Sequence, residues 1–139
     1  AIGPGLPLAM GAALGTGSHA LLVQGDGGLQ LSIGELSACA EHQIPVIVLV
    51  FNDSGYNILR MIQESVLGRK HGTELSKVDF VGVANGMGVE AERVEGVDQF
   101  ESALARALER QGPTLLDIDM SLLAPIELPL PAHQRAKQD

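Results

Sequence analysis

Six apolar residues in succession, Val46-Ile47-Val48-Leu49-Val50-Phe51, follow Pro45 and stop at Asn52. The run is short and rich in β-branched side chains, so it predicts a strand. A strand with one wet face alternates apolar and polar residues, whereas one that is apolar throughout is buried on both faces. The run therefore belongs inside a parallel sheet covered by helices on either side.

The rest of the chain supplies the partners. Leu6 to Leu14 predicts a helix stopped by Gly15-Thr16-Gly17-Ser18, and Ala20–Val23 predicts a strand. Leu29, Ile33, Leu36 and Ala40 recur on one face and predict a helix ending near Gln43. A helix from about Tyr56 to Glu64 is expected after the long strand, then a polar loop through Gly68-Arg69-Lys70-His71-Gly72. Asp79 to Asn85 predicts a short helix ended by Gly86 and Gly88, and Val89–Val94 a strand. Asp98 with Glu101 has the pattern of a capping box for a helix to Arg110, and Thr114–Met120 is the last expected strand.

This alternation predicts an α/β fold, a doubly wound and mostly parallel sheet with helices on both faces. With 45% hydrophobic but only 3% aromatic residues, its core is built from small aliphatic side chains. One domain is expected over residues 1–123, followed by a Pro-rich arm over 124–139 marked by Pro125, Pro129 and Pro131. The chain begins at Ala1 in the middle of a pattern, which suggests an excerpt of a longer polypeptide.

In such sheets ligands bind beyond the carboxyl ends of the strands. Two polar turns should sit there, Gly25-Asp26-Gly27-Gly28 and, 27 positions further on, Asn52-Asp53-Ser54-Gly55-Tyr56. Gly27 and Gly28 follow a strand and open a helix, so their backbone N–H groups can hold an anion. Asp26 in the same turn would repel a phosphate unless a cation lay between them. A magnesium or calcium ion held by Asp26, Asp53 and diphosphate oxygens resolves that conflict, and Gly55 can add a carbonyl ligand. Taken singly, each Asp also suits an ordinary strand-end turn. Together, at adjacent strand ends with glycines beside them, the two favour a metal–diphosphate site.

Other chemistries find little support. A net charge of −8, with basic groupings only at Arg69-Lys70-His71 and Arg135–Lys137, excludes a nucleic-acid surface. Gln30 stands where a dinucleotide fingerprint needs its third glycine, and no Gly-Lys-Ser/Thr phosphate loop occurs. The four histidines and single cysteine lack zinc-ligand spacing. No apolar stretch is long enough to span a membrane. Cys39, the lone cysteine, excludes an internal disulfide, fits a reducing cytoplasmic setting and is expected to pack as a small buried hydrophobe.

Gly25-Asp26-Gly27 followed at this interval by Asn52-Asp53-Ser54-Gly55-Tyr56 resembles the bipartite cofactor motif of thiamin diphosphate-dependent enzymes. More narrowly, the chain is similar to the C-terminal diphosphate-binding domain of the acetolactate synthase and 2-oxoacid decarboxylase superfamily. The opening Ile2-Gly3-Pro4-Gly5-Leu6-Pro7-Leu8-Ala9-Met10-Gly11 matches too, so the likeness runs from Ile2 to about Met120. The resemblance implies that Asp26 and Asp53 bind magnesium through their side chains and Gly55 through its carbonyl. It implies that Gly27 and Gly28 hold the diphosphate, that Ile2 is the apolar wedge beneath the cofactor, and that Ile58 packs near its rings. Tyr56, Leu59, Met61, Ile62 and His71 are candidates for shaping the substrate pocket. For Ile2 and Ile58, plain core packing is the competing reading.

Two positions depart from the family pattern. The second metal position, usually Asn with an acid in some members, is Asp53, which should tighten the metal but adds negative charge beside the diphosphate. Leu59 stands where pyruvate and indolepyruvate decarboxylases carry a catalytic Glu, so benzoylformate decarboxylase-like or acetolactate synthase-like chemistry on a 2-oxoacid is the expectation. In this family the Glu that activates the cofactor belongs to a separate pyrimidine-binding domain, normally of the neighbouring subunit in a homodimer or homotetramer. Glu35, Glu41 and Glu64 suit helix surfaces or packing instead, so no catalytic residue is expected within the chain. A non-catalytic thiamin diphosphate-binding or regulatory module and an unrelated α/β nucleotide-binding domain are the other readings.

Overall fold

The computed structural model describes residues 1–122, so the Pro-rich arm expected over 124–139 lies outside the described residues. Four parallel strands form the sheet: β1 (Ala20–Gly25), β2 (Val46–Asn52), β3 (Glu90–Val94) and β4 (Thr114–Asp119), in the order β1-β2-β4-β3. The helices are α1 (Gly5–Thr16), α2 (Asp26–Leu29), α3 (Glu35–Glu41), α4 (Asn57–Leu67), α5 (Phe80–Gly86) and α6 (Val97–Glu109). A 3-10 turn over Met120–Leu122 follows β4.

The expected double coverage of β2 is present. Val46, Val48 and Val50 pack into one core with Leu6 and Ala13 of α1, Leu36 and Cys39 of α3, and Phe80 and Ala84 of α5. Ile47 and Leu49 point the other way, into a core with Ala103 and Ala107 of α6. The split follows from chirality. The connections leading on from β1 and β2 step one way across the sheet, whereas α6 returns from β3 to β4. Right-handed crossovers therefore place α6 on the opposite face. Burial of each such aliphatic side chain contributes about 1.5–3 kcal/mol.

Local chemistry sets the ends of the helices. Gly17 ends α1 and Gly68 ends α4, each in the left-handed conformation, with φ +64° and +62° and an N–H bonded back to Ala13 and Glu64. Asp79 caps α5, its side chain accepting the Gly82 N–H at 2.9 Å.

Two sequence expectations need correction. The continuous helix through Leu29, Ile33, Leu36 and Ala40 is broken into α2, a turn over residues 30–34, and α3. Ser32, Glu35 and Leu36 donate to the carbonyls three residues back, so the linking bonds are those of tight turns. Gly34 and Ser32 are poor helix formers, and the apolar spacing of 29, 33 and 36 survives because turns also return to one face. The Asp98–Glu101 capping box does not form either. Gly96 precedes α6 without a side-chain cap, Asp98 lies inside the first turn, and Gln99 accepts the Glu95 N–H at 2.8 Å.

Candidate functional site

The sheet register brings the two acidic turns together. Gly25 pairs with Phe51 and Asn52 pairs with Asp119, so β1, β2 and β4 end at one edge. Asp26 and Asp53 each lie one residue beyond a strand end on adjacent strands. They border a cleft of about 430 Å³ whose walls include Ile2, Gly27, Gly28, Gly55 and Ile58. Every residue singled out for the metal or the cofactor thus lines one cavity. Of the pocket-shaping candidates, Tyr56, Leu59 and Met61 line it, whereas Ile62 and His71 lie outside its walls.

Asp26 is 4% exposed. Its Oδ1 accepts the Gly27 N–H at 2.8 Å and its Oδ2 the Gly55 N–H at 3.1 Å, so it ties the first loop to the second. Burial pushes its pKa up and the nearby Asp53 charge adds to the rise, against the lowering effect of the N–H groups of Gly27, Gly55 and Ser54. Among the described residues no cation contributes to this balance.

The second loop is built to turn sharply. Asn52 donates from Nδ2 to Asp117 at 3.0 Å and accepts the Ser54 N–H at 3.2 Å, and Ser54 adopts φ +57°. An antiparallel bridge joins Gly55 to Glu74, with Tyr56 N–H donating to the Thr73 carbonyl and Leu75 N–H to that of Ser54. A Cβ at Gly55 would lie 2.8 Å from the Thr73 oxygen, so glycine is required for this close approach.

Arg60 of α4 lies across the loop. Its Nη2 comes within 3.1 Å of Asp53 Oδ1 and donates to the Asp53 carbonyl at 3.2 Å, while Nη1 donates to Glu74 at 3.1 Å. The approach to Oδ1 is off the direction of a hydrogen bond, and among the described residues that buried oxygen accepts none. The sequence reading missed Arg60. It also missed Gln24, whose amide packs against both Gly5 and Gly28 and would have to shift for a Cβ at either. No periodicity marks these two residues: the paired loops bring in Arg60, and the close approach of Gly5 and Gly28 to β1 brings in Gln24.

The residues present fit a hard divalent cation with a diphosphate. Two carboxylates share the cleft, one buried oxygen has unused acceptor capacity, and Gly55 offers a carbonyl on the same loop. Among the described residues no group of three or more His, Cys, Asp or Glu gathers as a metal cluster. Ligand and backbone oxygens would therefore have to complete the coordination of such a cation. Gly27 and Gly28 belong to α2, a single turn with a small dipole, and the Gly27 N–H is already bonded to Asp26. Ile2 and Ile58 do not pack in the core: they are 78% and 54% exposed in the cleft wall. Cys39 is fully buried, and burial pushes its thiol up to about 11, with Glu35 adding to the rise. Among the described residues no helix is long and apolar enough to cross a membrane.

Comparison with known proteins gives a consistent picture. The chain is 31% identical to an acetolactate synthase of Bacillus subtilis over 118 residues, covering 84% of this chain and 21% of that protein. It is 28% identical to a benzoylformate decarboxylase of Pseudomonas aeruginosa over 126 residues, covering 89% and 24%. A solved structure, the thiamine diphosphate-dependent 4-hydroxybenzoylformate decarboxylase of Rhodococcus jostii RHA1, superposes with a TM-score of 0.80 at 32% identity. That match covers 85% of this chain and 23% of the other. The chain spans between a fifth and a quarter of the length of these relatives. The profile of the family described as "Thiamine pyrophosphate enzyme, C-terminal TPP binding domain" matches residues 1–118, and the chain belongs to that family.

Proposed function

We propose that the chain holds the magnesium–diphosphate part of thiamin diphosphate, as one domain of an enzyme that decarboxylates 2-oxoacids, ligates the product to a second carbonyl, or does both. The observation that carries this reading is the convergence of Asp26, Asp53 and Gly55 on one cleft at adjacent strand ends. Two carboxylates at close quarters in a half-buried cleft repel each other, and a divalent cation removes that cost.

In this reading Asp26 and Asp53 hold the magnesium through their side chains and Gly55 through its carbonyl. When bound, thiamin diphosphate supplies the thiazolium carbon at which a 2-oxoacid loses carbon dioxide. The chain's own residues bind and orient. Gly27 and Gly28 would hold the diphosphate through their backbone N–H groups, that of Gly27 being the one Asp26 Oδ1 now accepts. Ile2 and Ile58 both line the cleft and would support the rings. The acid that activates the cofactor comes from a pyrimidine-binding domain of the same or a neighbouring subunit, in a homodimer or homotetramer. Cytoplasmic residence suits the lone buried thiol.

Calorimetric titration of the chain with thiamin diphosphate tests the site. Binding that depends on magnesium and disappears in Asp26→Ala is the expected result. Unchanged affinity in the variant would remove Asp26 from the site.

A further inference from the structure

A second carboxylate at Asp53 raises a problem of charge. Asp26, Asp53 and a magnesium ion sum to zero, where one carboxylate and an Asn would leave a positive charge to meet the diphosphate. The fold supplies the missing charge from α4. The Arg60 and Asp53 side chains are only 18% and 17% exposed, and their ion pair at 3.1 Å is screened far less than a surface pair. The other acidic partner, Glu74, is 67% exposed and offsets Arg60 more weakly. Gly55 leaves the space that the guanidinium fills: a Cβ there would lie 2.9 Å from both Cζ and Nη2 of Arg60.

Resting on the metal–diphosphate reading, we propose that Arg60 is a positioning residue that neutralises Asp53, so that the Asp-type metal loop presents the same charge to the diphosphate as an Asn-type loop. Arg60 approaches Oδ1 of Asp53 but is not among the residues that line the cleft, so its charge acts on the site through Asp53. The pairing makes the two residues interdependent: Arg60 is needed because position 53 is acidic, and loses that role when position 53 is neutral.

A double-variant cycle on the full chain reads this interdependence. Thiamin diphosphate is titrated calorimetrically at saturating magnesium into the parent chain, Arg60→Gln, Asp53→Asn and the double variant, with urea midpoints checking the fold. Arg60→Gln should weaken binding by about tenfold or more, the scale of one uncompensated charge in a half-buried site. Combined with Asp53→Asn, the same substitution should cost less than about threefold. Arg60→Lys, which keeps the charge, should stay within about threefold of the parent. Magnesium alone should bind Arg60→Gln at least as tightly as the parent, because the uncompensated carboxylate attracts it more. Equal losses from Arg60→Gln in both backgrounds would overturn the proposal, as would weaker binding of magnesium alone. A parent chain without magnesium-dependent binding would instead refute the underlying site, so the two failures are distinguishable.

Discussion

Gly55→Ala is the sharpest test of how the metal loop is built. The added methyl would lie 2.8 Å from the Thr73 carbonyl oxygen and 2.9 Å from Arg60 Cζ, where real contacts of a methyl carbon are essentially never under 3.0 Å. Arg60 can swing aside, but Thr73 is backbone, and its carbonyl accepts the Tyr56 N–H at 2.9 Å. Relief therefore means parting the loop at residues 53–56 from residues 73–75. Overpacking of this kind costs about 1–3 kcal/mol, and loss of one bridging hydrogen bond adds about 1. The expected destabilisation is about 2–4 kcal/mol, or roughly 6–12 °C in Tm for a domain of this size. Urea denaturation followed by circular dichroism measures it. Gly11→Ala is the control: nothing lies within 4 Å of a Cβ at this position inside α1, so it should stabilise by about 0.5–1 kcal/mol. A Gly55→Ala chain as stable as the parent would refute the close-approach argument.

Three further outcomes follow from the ionisable groups. Asp26 has a raised pKa, so the folded chain holds its proton more tightly than the unfolded chain, and stability falls as pH rises from 3.8 through the raised value. The stability difference between the metal-free parent and Asp26→Asn should therefore change with pH in that window, and a pH-independent difference would contradict the burial of this charge. Asp119 behaves oppositely. Hydrogen bonds from Ser121, then Arg93, hold its carboxyl down to about 2, so the stability it contributes is present above 3.8 and is lost as pH falls toward about 2. In Asp119→Asn that acid loss should shrink, as urea midpoints across the range would reveal. Cys39, with its thiol pushed up to about 11, should resist iodoacetamide in the native chain and react once unfolded in urea; rapid native labelling, read by mass spectrometry, would contradict its burial.

What the sequence disclosed of this site divides along a physical line. The strand Val46–Phe51 was legible because burial on both faces leaves a period-free apolar run, and the acidic turns were legible because they sit at strand ends. Register then follows, since Gly25 opposite Phe51 makes Asp26 and Asp53 neighbours. The break between α2 and α3 was hidden because turns at residues 30–34 preserve the apolar spacing of a helix. Arg60 was hidden for a different reason. Its partners, Asp53 and Glu74, lie 7 and 14 positions away in opposite directions, and the bridge between Gly55 and Glu74 brings them together. The left-handed backbone at Ser54 was equally silent, since Ser carries no signal for φ +57°. The ligating acids are thus written in the local pattern, whereas the charge that balances one of them comes from a loop pairing beyond the reach of any local pattern. A family motif can locate Asp53, but the cost of its extra charge becomes a physical question only when Arg60 is seen beside it.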